Sequence, residues 1–137
     1  MPQLLHCVSI FFGVKNDKFA SKNGCSCRDL KPENILIGCD GTLRLSDFGW
    51  SVHTLSGKRR KTMCGTVDYL APEIVRETEY DFTIDNWCVG VLCYEFLYGH
   101  PPFESSLRDE TNYKIMHQQP TFPSCPKVRT LETFQLS

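Results

Sequence analysis

Two aspartates and an asparagine bracket one short stretch, Cys27–Gly49, and oxygen-bearing side chains so spaced can serve phosphoryl transfer. Asp29 and Asn34 precede the apolar run Ile35-Leu36-Ile37, and Asp47 follows a second run, Leu43-Arg44-Leu45. The linking residues, Gly38-Cys39-Asp40-Gly41-Thr42, include Asp-Gly, which favours a hairpin because both residues tolerate positive φ. A hairpin folds Asp47 back toward Asp29, with Lys31 close by. One acid can then accept a proton while the other, together with Asn34, offers hard oxygens to a metal ion.

The elements that must position these residues are mostly helical. Residues 83–98 are apolar on nearly every face of a helical projection, which predicts a helix inside a domain. Thr83 or Asp81 is placed to cap its start, and Gly99 with Pro101-Pro102 ends it. Ala71-Pro72-Glu73 opens a short helix to about Arg76, and Asp109–Gln118 reads as a more exposed one, closed by Pro120 and Pro123. Between hairpin and helices, residues 50–70 have no hydrophobic period. They carry hydroxyls and the basic run Lys58-Arg59-Arg60-Lys61, the composition of a functional loop. Leu4–Val14 fits a helix or a buried strand equally, and Lys15–Gly24 reads as loop.

Composition narrows the function classes. The 137 residues suit one domain or a large part of one, and a net charge of −1 gives no support for direct nucleic-acid binding. Eight cysteines are scattered without a C-x-x-C pair, which favours reduced thiols over a disulfide framework or a zinc site. No positive charge precedes Leu4–Val14 as in a signal peptide, and no stretch reaches the ~18 apolar residues of a membrane span. The expected setting is intracellular, without a membrane partner.

Arg28-Asp29-Leu30-Lys31-Pro32-Glu33-Asn34, Asp47-Phe48-Gly49, Ala71-Pro72-Glu73 and Asp85-x-Trp87-x-x-Gly90 follow one another in the order and spacing of the eukaryotic protein kinases. Lys-Pro-Glu-Asn is the serine/threonine form. Residues 47–53, 62–70 and 92–99 resemble the Aurora kinases, most of all those of plants. The resemblance implies a mainly α fold, the C-lobe of a kinase with a small β-hairpin at the site. It also implies ATP γ-phosphate transfer to protein Ser or Thr with Mg²⁺, and a role at the spindle, centrosome or chromosomes in mitosis, in nucleus or cytoplasm.

By that resemblance Asp29 is the catalytic base, Lys31 steadies the transferred phosphate, and Thr66 touches both. Asn34 and Asp47 hold magnesium and so the nucleotide, and Leu36 lies beneath the adenine. Glu33 meets a basic residue of the substrate. Thr62 is the activating phosphosite, paired with Arg28. Arg59 and Arg60 stand three and two residues before it, in line with substrates basic ahead of the Ser or Thr. Asp85 accepts backbone hydrogen bonds from the catalytic loop. Spindle or centromere activators are the family's further partners.

The expected division is a partial kinase domain at 27–123, an unassigned flank at 1–26, read as either disordered or non-native, and an unassigned tail at 124–137. The family's N-lobe, with its glycine-rich loop and strand lysine, has no counterpart here. Cys27 replaces a histidine that packs on the phenylalanine equivalent to Phe48. Glu73 lacks the late arginine with which its counterpart pairs. These departures predict little activity for the chain itself. They leave two alternatives, a non-catalytic binding module and a truncated gene product without a role.

Overall fold

In the computed structural model, residues 25–40, 43–53 and 59–123 are described. Four short strands and three helices follow in order among them: β1 (Cys25–Ser26), β2 (Ile35–Ile37), β3 (Leu43–Leu45), β4 (Val52–His53), α1 (Pro72–Val75), α2 (Ile84–Tyr98) and α3 (Arg108–His117). Single 3₁₀ turns cover Pro32–Asn34 and Val67–Tyr69. Leu4–Val14, Lys58 and the 124–137 tail lie outside the described residues.

The expected hairpin is present. β2 and β3 pair antiparallel with Ile35 opposite Leu45, Leu36 opposite Arg44 and Ile37 opposite Leu43. A second pairing, β1 with β4, sets Cys25 opposite His53 and Ser26 opposite Val52. Nothing in the polar run after Gly49 announced it, since two-residue strands carry no period to read.

α2 divides the core. Ile84, with Leu70, Ala71, Ile74, Tyr80, Phe103 and Ile115, forms one cluster; Cys88, Val89, Val91 and Leu92 close a second with Leu30 and Tyr69. Trp87 packs against both and stacks on Phe103, ring centres 5.9 Å apart. Gly99, at φ 85°, ends α2 by donating its N–H to the Glu95 carbonyl. Only glycine takes that conformation at little cost. Asp81 braces the start differently from a helix cap: its Oδ1 accepts the N–H and the hydroxyl of Thr83.

Burial of α2 is less complete than its composition suggested. Asn86, Gly90 and Leu97 are exposed and share one face at helical spacing, and Phe96 and Trp87 are only half-buried. The opposite end of α2 holds the chain beyond α3. The Tyr94 hydroxyl donates to the Thr121 carbonyl (2.7 Å), and its ring packs against Tyr98 and Phe122.

Candidate active site

The loop that carries Asp29 hangs from the first turn of α2. Asp85 accepts hydrogen bonds from the Ser26 hydroxyl (2.9 Å), the Cys27 N–H (2.9 Å) and the Arg28 N–H (3.0 Å). These bonds hold Arg28 at φ 63°, a conformation an L-residue adopts at a cost. Leu30, buried in the second cluster, pins the far side.

Held this way, four side chains converge. Thr66 Oγ1 donates to Asp29 Oδ1 (2.9 Å) and accepts from Lys31 Nζ (2.9 Å), and Nζ lies 3.2 Å from Asp29 Oδ2. Asn34 Nδ2 donates to the Asp29 carbonyl (2.9 Å) and to Oδ2 (3.2 Å). With the amide nitrogen committed to Asp29, Oδ1 is the atom that Asn34 has left for a cation. The Ser46 N–H bonds the Asn34 carbonyl (2.8 Å), which ties the residue before Asp47 to the same loop. Asp47 stands at φ 55° and accepts the Gly49 N–H on Oδ1.

Asn34 and Asp47 together offer a small set of hard oxygens. That suits magnesium, which keeps several waters and takes phosphate oxygens rather than filling an all-protein cage. Among the described residues no group of three or more His, Cys, Asp or Glu side chains is gathered for a metal. Leu36 is 53% exposed and Phe48 57%, so both stand open to water. Glu33 is exposed beside the cluster, and Cys27 is half-buried with its thiol pKa raised, chiefly by desolvation.

Arg28 is buried. Its Nε donates to the Trp50 carbonyl (2.7 Å) and its Nη1 to the Tyr80 hydroxyl (3.2 Å). Tyr80 in turn donates to the carbonyl of Thr62 (2.5 Å), whose residue is exposed. Arg59 and Lys61 are exposed and Arg60 half-buried. Glu73 has no ion pair among the described residues. Sequence reasoning passed over two groups, Tyr80 and the pair in which the Tyr69 hydroxyl donates to Glu95. Tyr80 sits alone between acidic and hydroxyl residues, and Glu95 in an apolar helix, so neither had a local signal.

Glu95 has a testable titration. Burial first, then the charges of Glu33, Glu104 and Asp68, raise its pKa above the ordinary 4.5, against the lowering bond from Tyr69. Below about pH 4.5 the folded and unfolded chains both hold the proton. As the pH rises above that, the unfolded chain releases it first and folding loses stability. Glu95→Gln keeps an acceptor for Tyr69 without the charge. Its urea midpoint relative to the parent should therefore improve steadily from pH 4 to pH 7, and a constant difference would contradict the assignment.

Comparison with known proteins shows the family of the chain. Residues 17–135 match the protein kinase domain. The chain belongs to the protein kinase family. Within it, the chain is similar to the serine/threonine-protein kinase Aurora-2 of Arabidopsis thaliana, 55% identical over 101 residues that make up 74% of this chain and 35% of that protein. It is also similar to Aurora kinase C of Mus musculus, 58% identical over 97 residues (71% of this chain, 35% of that protein). Aurora kinase B of Drosophila melanogaster is 55% identical over 97 residues (71% and 29%). The chain thus spans about a third of the length of the curated relatives it matches.

Proposed function

We propose that the described residues form the helical C-lobe side of a serine/threonine protein kinase site, at which the γ-phosphate of ATP passes to a protein hydroxyl. The observation that carries this is the hydrogen-bonded set Asp29, Lys31, Thr66 and Asn34 beside Asp47. Asp29 accepts the proton of the attacking hydroxyl, which Thr66 and Lys31 align by fixing both carboxylate oxygens. Lys31 sets its positive charge where negative charge spreads over the phosphoryl oxygens. Asn34 and Asp47 would hold magnesium, which neutralises phosphate charge when bound. Leu36 offers an apolar seat for the adenine.

Substrates are proteins with basic residues ahead of the Ser or Thr. The support is the exposed carboxylate of Glu33, next to Asn34 on the same loop, with which a cationic substrate side chain can pair. Thr62, preceded by Arg59 and Arg60, fits the same description, so it is the proposed phosphosite, with Arg28 as its cation. Among the described residues, no acceptor other than Trp50 and Tyr80 takes the Arg28 guanidinium N–H groups, so others remain for phosphate. The proposed setting, which rests on the resemblance to the Aurora kinases alone, is the dividing cell, at spindle, centrosome or chromosomes.

Exposure of Leu36, Asp47 and Phe48 favours a second reading for the 137-residue chain taken by itself, a lobe that binds without turnover. Water stays in contact with the phosphate position, and chemistry that depends on positioning and electrostatics suffers accordingly. Calorimetric titration separates the possibilities. Magnesium should strengthen ATP binding, and Asp47→Ala should abolish that gain, about tenfold in Kd (~1.4 kcal/mol). Binding indifferent to magnesium and to Asp47 would overturn the kinase site. Phosphate transfer to a basic Ser peptide should stay at background, and turnover lost in Asp29→Asn would instead remove the binding-only reading.

A further inference from the structure

We propose that Tyr80 is a positioning residue, whose hydroxyl fastens the segment carrying Thr62 to Arg28 without any phosphate. Its ring is 4% exposed within the first core cluster, so the hydroxyl is presented from a fixed base. The single phenolic proton goes to the Thr62 carbonyl (2.5 Å), and the oxygen accepts from Arg28 Nη1 (3.2 Å), with Cys64 Sγ at 3.6 Å. Donors and acceptors match without conflict. The main chain adds a second fastening, because Tyr80 and Arg60 exchange both backbone bonds (3.0 and 2.9 Å). Residues 60 and 62 are thereby held by one residue, while Lys61 and Thr62 stay exposed.

On the far side, Arg28 is bonded through its own N–H to Asp85 and adjoins Asp29. Tyr80 therefore lies one hydrogen bond from the catalytic loop and one from the main chain of Thr62. For phosphorylation, which rests on the kinase reading, a phosphate on Thr62 lands on a segment already seated beside its cation. Less conformational entropy then remains to be lost.

Limited trypsin digestion of the full chain tests the fastening and needs neither ATP nor turnover, so its failure is separable from failure of the kinase reading. A synthetic peptide of residues 56–68 sets the unprotected rate of cleavage after Arg60 and Lys61. The parent chain should be cut more slowly. Tyr80→Phe keeps the ring and should speed these cuts about fivefold, the worth of one hydrogen bond (~1 kcal/mol), more than it speeds cuts elsewhere. Incorporating p-aminophenylalanine at position 80 returns an N–H donor and should restore the parent rate. Cleavage of the parent at the peptide rate overturns the proposal however the variants fold. Unchanged cleavage in Tyr80→Phe, a uniform rise at every site, or no rescue by the aniline also overturns it.

Discussion

Alanine at position 85 should lower the stability of the chain by about 2–4 kcal/mol, because two main-chain N–H groups lose their acceptor together. Among the described residues Asp85 is the acceptor for the N–H groups of both Cys27 and Arg28, and it also takes the Ser26 hydroxyl. Each main-chain N–H left without an acceptor in such a part-buried place costs about 1–3 kcal/mol. The hydroxyl can turn elsewhere, so Ser26→Ala should cost under about 1 kcal/mol. Arg28 compounds the loss, because its φ of 63° persists only while the surroundings hold it. Asp85→Asn keeps one carbonyl oxygen and should fall between the two. Urea unfolding of the three variants measures the order, and hydrogen exchange of residues 27–30 shows whether the loop is released. An Asp85→Ala cost no larger than that of Ser26→Ala would mean that the carboxylate is not the anchor.

The chemistry of the site was legible because it lies in consecutive residues. Asp29, Lys31 and Asn34 share one short loop, and the pairing of β2 with β3 brings back the strand that leads to Asp47. Helix α2 was legible from its length and its terminal Gly99. Which face it leaves open was not. Asn86 and Gly90 do not form a polar stripe strong enough to show in the sequence, and Leu97 on the same face is apolar. Gly90 has nothing within 4 Å of a would-be Cβ, so the described residues give no reason for glycine there. The pairing of Cys25–Ser26 with Val52–His53 is set by partners some 27 residues apart, beyond any local pattern. Positive φ at Arg28 and Asp47 was hidden for another reason: neither is glycine, and at Arg28 it is the distant Asp85 that holds the conformation. Tyr80 and Glu95 act through groups from other segments, so their identity alone carried no message.

Gly65→Ala should cost about 2–3 kcal/mol, at the upper end for a strained backbone position, and should disturb Thr66 in particular. Gly65 stands at φ 105°, outside the small left-handed region that an L-residue visits. An added Cβ would sit 2.9 Å from the Arg28 carbonyl oxygen and 3.6 Å from Leu70 Cδ2. The carbonyl cannot easily yield, because Asp85 holds the Arg28 N–H and Trp50 and Tyr80 hold its side chain. Position 65 must move instead, and Thr66 moves with it, away from Asp29 and Lys31. Gly49 makes the contrast. Its would-be Cβ lies 3.0 Å from Asp47 Oδ1, the end of an exposed side chain that can rotate, so Gly49→Ala should cost under about 1 kcal/mol. A double-mutant cycle separates simple strain from loss of the Thr66 contacts. Thr66→Val alone should cost about 1 kcal/mol for the hydroxyl that bridges Asp29 and Lys31. Added to Gly65→Ala it should cost almost nothing more, since the bridge is already broken. Strict additivity would show that Thr66 keeps its place, and that the glycine serves only the turn.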